Sequence, residues 1–453
     1  MEDPTKMGYL GATSYVIGNI IGSGIFITPS AILRSTDSVG LSLSIWLICA
    51  GIAFLGSLCY IELGTSIREP GADFGYICYV KWYSIAFSFM WVSVLMTYPA
   101  TIAIIAETFG QNCRWRNALE DPWPSDPQYT TGSLVVGFYG GLYAYSGWDI
   151  LNYGTSEISR PRRNVPLALL SGIGIVTAVY FFINLAFFTV MDAETIKNND
   201  AVAAIFSEKT MGSFSYCIPF LIGILLIGSL NSNLFSASRY MYAAAKQGHL
   251  PSCFSCVNAA TDSPRVAIMA QTLLAVGISF VGDLDVLVGY VMFGFWAQRI
   301  FTLIALLMIR YKGIPVHSDA LRVPLWCILT FLFINIVLVI IPIFQEFHMT
   351  ALGIGICFVG FGFYFILVYP TTLPRWMTEW NNKTTLWAAI VFDALPDLKV
   401  TPVVPLGASD SQQLLLAKRP SFSLASEDSV PDLHSDEKNT LIRNGSSSGL
   451  RMW

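Results

Sequence analysis

Two short segments carry the residues most able to do chemistry, and the chemistry is that of the main chain. The first is Gly22-Ser23-Gly24-Ile25-Phe26, followed by Thr28 and Pro29, inside an apolar run. Glycine costs about 1 kcal/mol relative to alanine in a helix interior. Two glycines around a serine therefore mark a point where a helix can break. A break inside a bilayer exposes N–H and C=O groups that only a cavity or a ligand satisfies. The N–H groups of Ser23, Gly24 and Ile25 would then begin a second half-helix, whose partial positive charge suits a carboxylate. The same small residues also permit close helix packing with no break. Taken alone, this segment leaves both readings open.

The second segment holds Gly137, Gly140, Gly141, Tyr143, Tyr145, Ser146, Gly147 and Trp148. Carbonyls freed around Tyr143, Ala144 and Ser146 would accept an ammonium, and the ring of Tyr143 would close over it as a gate. Two interrupted apolar segments in corresponding halves of a chain point to a transporter substrate site. Amide donors on one side and carbonyl acceptors on the other match the head group of an α-amino acid.

Other candidates are weaker. Glu62, Arg68, Asp149, Glu157 and Arg239 fall near the ends of apolar runs. Intramembrane charges are costly and often functional, but a paired structural role is the preferred reading here. Asn231, Ser232 and Asn233 either line a pathway or join helices. His249, His317 and His348 fall in loops and read as solvated. Cys253 and Cys256 form a CxxC with no second pair, so a zinc or redox site is not expected. No HExxH or GxSxG occurs. The expectation is a protein that is not an enzyme, with no catalytic residues, no metal and no cofactor.

These segments must be positioned by membrane helices. Of 453 residues, 54% are hydrophobic and only 12% charged, with a mean hydropathy of +0.57. Soluble domains carry about a quarter charged residues. A net charge of −4 gives no electrostatic basis for nucleic acid binding. With about 20 apolar residues needed per span, candidate spans lie near 8–28, 41–62, 83–106, 131–151, 166–190, 214–236, 265–282, 286–309, 323–343 and 351–369. Residues 1–7 precede them, and 8–369 form the transmembrane domain. Arg160, Arg162, Arg163, Lys246, Arg265, Arg310, Lys312 and Arg322 gather in alternate loops, which places both termini in the cytoplasm. Trp376, Trp380 and Trp387 share a helical face, so 370–399 reads as an interfacial amphipathic segment. The polar stretch 400–453 reads as a disordered cytoplasmic tail.

Four blocks identify a family. NIIGSGIFITP at 19–29 resembles the first helix of the light subunits of heteromeric amino acid transporters. LGSLCYIELGTSI at 55–67 resembles their second helix. GLYAYSGWDILNYGTSEISRPRRNVPLAL at 141–169 resembles their sixth helix and following loop, and SRYMYAAAKQGHLP at 238–251 their eighth. The resemblance runs from Met7 to about Lys399. It implies the L-type family of the amino acid–polyamine–organocation (APC) superfamily: an all-α membrane protein with the LeuT-like fold and interrupted first and sixth helices. It further implies plasma-membrane exchange of L-amino acids beside a single-span glycoprotein heavy subunit. The substrate carboxylate would rest on the backbone of Ser23, Gly24 and Ile25. The ammonium would rest on carbonyls of Ile20, Tyr143 and Ala144. Ser146 stands where cation-preferring members carry an acidic residue, so neutral substrates are expected.

One departure from the family is large. The family has twelve spans, whereas this chain has ten. Between Thr108 and Leu134 lies a single polar stretch with Pro122, Pro124 and Pro127, and by order the fourth and fifth family helices are absent. The inverted repeat is then incomplete. The alternative function is a truncated isoform, or the product of an incomplete gene model, that does not transport but binds the heavy subunit or alters trafficking. The resemblance gives Cys113 as the residue disulfide-bonded to the heavy subunit; it equally fits an edge residue of the missing segment.

Overall fold

The computed structural model describes residues 7–397 except 68–70, 113–130, 154–157, 200, 213–214, 216, 259–262, 281–283, 318–319, 346 and 371–373. Nearly all of it is helical, as the long apolar runs require in a medium where every backbone group must find its partner within the chain. Helix α1 (Tyr9–Ile20) and helix α2 (Gly24–Thr36) meet at a bend of 45°. Ser38 opens helix α3 (Val39–Ser66) by accepting the Leu41 N–H. A short α4 (Ala72–Tyr79) follows. Helix α5 (Tyr83–Val92) passes through a π turn at Ser93–Thr97 into α6 (Tyr98–Asn112). Pro99 lacks the N–H that a regular turn would use here, and Gln271 donates to the Val94 carbonyl at 3.3 Å.

Helix α7 (Thr131–Ala144) leads to the second interruption. Pro161 at the first position, where no partner for an N–H is needed, starts α8 (Pro161–Val190). Two short helices, α9 (Ala193–Lys197) and α10 (Val202–Met211), precede α11 (Cys217–Lys246). Then come α12 (Arg265–Ile278), α13 (Leu284–Lys312), α14 (Leu325–Gln345), α15 (Phe347–Phe363) and α16 (Arg375–Phe392). Among the described residues, six helices are long and apolar enough to cross a membrane, seven if the bent pair α1–α2 counts as one. Leu134–Ala144, Arg265–Ile278 and Gly353–Val368 are shorter apolar helices. Phe182, Phe220, Leu221, Phe333 and Phe358 point outward, an apolar exterior suited to lipid.

Two ion pairs tie helix ends to their neighbours. Arg310 of α13 donates from Nε to Glu62 at 2.7 Å and from Nη2 to the Val323 carbonyl at 2.5 Å, while the Val323 N–H donates to Glu62 at 2.9 Å. This fastens α3, α13 and the approach to α14. Lys197 of α9 pairs with Asp37 at the end of α2.

The C-terminal helix is bolted to the loop between α11 and α12. Strand β1 (Cys256–Val257) pairs antiparallel with β2 (Leu395–Pro396). Asn258 donates to the Asp393 carbonyl at 2.6 Å, and Lys246 donates to Asp397 at 2.5 Å beside the Tyr242 hydroxyl. Cys253 and Cys256 are free thiols packed with Val266, Ala388 and Ala394, so the CxxC serves packing. Trp376, Trp380 and Trp387 are exposed on α16. Burial alone would raise the Asp397 carboxyl, but hydrogen bonds from Lys246 and Tyr242 hold it below the usual aspartate range. A depressed carboxyl stabilises above its unfolded value, near 3.9, and that contribution is lost as pH falls through the folded value. The clamp should therefore protect α16 from protease at neutral pH. Asp397→Asn should be cut severalfold faster in limited proteolysis at pH 7.

His249 differs from its sequence reading. It is buried among the rings of Phe74, Tyr83, Phe87 and Tyr364. Burial pushes its imidazole down to about 4, so it is neutral near pH 7.

Candidate substrate site at two helix breaks

Helix α1 ends with the Ile21 N–H donating to Ile17, and the backbone then turns at Ile21, where ψ is 88°. Helix α2 restarts at Gly24, and its first internal link runs from the Phe26 N–H to the Ser23 carbonyl. The first N–H groups of a helix lack carbonyl partners within it. In α2 those groups belong to Gly24 and Ile25, with Ser23 just before them.

The second break has the opposite polarity. Helix α7 stops at Ala144, and the Ser146 N–H turns back to the Tyr143 carbonyl at 3.0 Å. Gly147 then adopts φ +91°, which L side chains rarely tolerate. A one-turn 3-10 helix follows at Ile150–Tyr153.

The two breaks touch. A Cβ placed on Gly24 would lie 2.4 Å from the Cα of Ala144. The N-terminus of α2, with its donors, therefore abuts the C-terminus of α7, with its acceptors. The Ser23 Oγ and Tyr143 hydroxyl lie 3.1 Å apart across the gap. Ile20, Ser23, Ile25, Tyr143 and Ala144 are all buried. Ser146 lies in the turn and is half-buried. The fold thus brings together every residue read as substrate-binding, while Cys113, Arg68 and Glu157 lie outside the described residues.

Further residues join the site. Asn19 donates from Nδ2 to the Gly147 carbonyl at 2.8 Å, and its Oδ1 accepts from Ser232 of α11 at 2.6 Å. That resolves part of the polar cluster in α11: Ser232 reaches the breaks, and Asn231 is exposed. Tyr180 of α8 donates to the carbonyls of both Ile20 and Ala144. Asp149, just past the second break, pairs with Arg299 of α13 at 3.4 Å. Arg299 is enclosed by the rings of Trp148, Trp296, Phe295 and Tyr60, at 4.8–5.9 Å. The Tyr60 hydroxyl in turn donates to Asp73 of α4. The charge beside the site is thus compensated within the fold.

The Ser23–Tyr143 contact joins two neutral hydroxyls, so its loss should cost only about 1 kcal/mol. Tyr143→Phe is expected to raise the KM for an amino acid by less than about tenfold. Tyr143→Ala, which also removes the ring, should raise it further; uptake kinetics in liposomes distinguish the two.

The family pattern for amino acid permeases matches residues 7–117 and 109–395. The chain belongs to the amino acid permease family. Amino acid transporter protein 6 of Caenorhabditis elegans is 36% identical over 86% of this chain and 89% of its own length. The human cystine/glutamate transporter is 30% identical over 86% of this chain and 91% of its own. Large neutral amino acids transporter small subunit 2 of mouse is 28% identical over 84% of each. This permease is a multi-pass membrane protein of a family that transports amino acids, and its likeness to light subunits of the APC superfamily stands on these relatives as well as on the motifs. Its match to the family comes in two pieces that meet at 109–117. The alignment to the nematode relative runs over 467 residues, more than this chain's 453, while using 86% of the chain. The relative therefore has residues with no counterpart here.

Proposed function

We propose that the chain exchanges neutral L-amino acids across the plasma membrane, as the light subunit of a heterodimer, by alternating access around the two breaks. The observation that carries this reading is the approach of Gly24 to Ala144, which sets helix donors against helix acceptors. The carboxylate would rest on the N–H groups of Ser23, Gly24 and Ile25, and the ammonium on the carbonyls of Ile20, Tyr143 and Ala144. The neutral Ser146 supports neutral substrates, because a desolvated side-chain cation there would find no formal negative charge. Both termini are placed in the cytoplasm, α16 on the inner membrane surface, and Cys113 in the disulfide to a single-span glycoprotein.

Counter-flow in liposomes holding the chain and a heavy subunit tests the reading. Labelled leucine should accumulate against unlabelled internal leucine, with lysine and glutamate competing poorly. No accumulation would end it. A covalent link is a separate matter: Cys113→Ala should abolish the larger species on non-reducing electrophoresis.

The interruption of the family match at 109–117 favours a second reading. Without the fourth and fifth family helices the wall opposite the site would be thin, and the chain would bind a heavy subunit without transporting. Co-purification with a heavy subunit together with absent counter-flow would select that reading.

A further inference from the structure

Tyr180 is fully buried in α8. Its ring stands edge-on to Trp46, with centroids 5.3 Å apart, and tilted against Tyr145 at 5.1 Å. Its hydroxyl is 2.8 Å from the Ile20 carbonyl oxygen and 3.0 Å from that of Ala144. Those are the last carbonyls of α1 and α7, the two half-helices that end at the breaks. One O–H is thus shared between two acceptors from different helices.

Each carbonyl oxygen has two lone pairs, but the hydroxyl already bridges the two oxygens, so an ammonium that bridges the same pair competes with it for that position. A hydroxyl has one proton and an ammonium three. Charge-assisted hydrogen bonds are roughly twice as strong as neutral ones. An ammonium bridging both oxygens is therefore the stronger partner for them.

We propose that Tyr180 is an internal stand-in for the substrate ammonium, pinning both breaks to α8 until an amino acid displaces it, so that movement of α1 requires a bound substrate. The inference rests on the exchange reading above and adds what would enforce it. A ligand shifts a conformational equilibrium only by its differential affinity for the two states. Here the difference is the release of α8 from both carbonyls while α1 and α7 stay joined through the ligand. An exchanger must not change its access unloaded, and this hydroxyl supplies such a restraint. Tyr180→Phe keeps the ring against Trp46 and Tyr145 and removes only the restraint.

Efflux from liposomes preloaded with labelled leucine tests the proposal. The unaltered chain should release label only when amino acid is present outside. Tyr180→Phe should release it into amino-acid-free buffer about tenfold faster than the unaltered chain, the scale set by losing hydrogen bonds to two carbonyls. A Tyr180→Phe chain that depends on external amino acid as strictly as the unaltered one would overturn the proposal. A role confined to stability would lower both modes together and would also overturn it.

A second measurement needs no transport. Ile21→Cys places a thiol at the first break, and its labelling in detergent, without amino acid, is read by peptide mass spectrometry. Adding Tyr180→Phe should speed that labelling severalfold, and equal rates would refute the restraint. If the unaltered chain carries no leucine in either direction, the exchange reading fails, and this labelling comparison alone decides the role of Tyr180.

Discussion

Gly24→Ala should reduce saturable leucine counter-flow by about tenfold to a hundredfold, because overpacking a tight contact costs roughly 1–3 kcal/mol and 1.4 kcal/mol is tenfold. The added methyl would sit 2.4 Å from Ala144 Cα and 3.1 Å from its backbone nitrogen. Neither is the end of a flexible side chain, so the two half-helices must separate. Separation moves the donors of α2 away from the acceptors of α7, and both ends of the substrate lose their grip together. Membrane insertion should persist, because the break faces its partner segment and not lipid. Comparing counter-flow at equal protein per liposome, with Gly18→Ala as the control, isolates the effect. Gly18 has open space around its Cβ position, and its substitution should leave transport close to normal.

Arg299→Leu should be the most damaging substitution for stability. Removing one partner of a buried ion pair costs about 3–5 kcal/mol, since the other charge stays buried without compensation. Asp149, which pairs with Arg299, and Asp73, which also acts on it electrostatically, are both buried, so the loss leaves two buried carboxyl groups without their cation. Four aromatic rings also lose the cation they surround. The variant should lose its monodisperse peak in size-exclusion chromatography. Adding Asp149→Asn should recover part of the thermal stability, because it removes one of the stranded charges. Failure of the second substitution to help would mean that the cation–aromatic contacts, and not the ion pair, dominate.

Much of this architecture was legible in the sequence for identifiable physical reasons. Long apolar runs with few charges leave only membrane helices as an outcome, and the fold class follows. The break at Gly22–Gly24 could be read because glycine is expensive in a helix interior. Helix α2 continues to Thr36, beyond the apolar run that ends near residue 28, because a half-helix can begin afresh at the break. Tyr180 gave no signal, since a lone aromatic in an apolar span looks like core until its hydroxyl is seen beside two helix ends. Asn19 was similarly hidden within a small-residue motif. Arg299 was different: an arginine in the middle of the run 286–309 is a visible intramembrane charge, and it belonged with Asp149 from the outset. His249 was misread because loop position says nothing of burial when aromatic residues from distant segments converge on it.

Saturation binding of labelled L-leucine to the purified chain with its heavy subunit, competed by N-acetyl-leucine and by leucine methyl ester, addresses the pairing of donors and acceptors most directly. The account predicts that each blocked analogue competes at least about a hundredfold more weakly than leucine, as loss of a charged hydrogen-bonding group would give. If either analogue displaced leucine as well as leucine displaces itself, the breaks would not be what holds the head group.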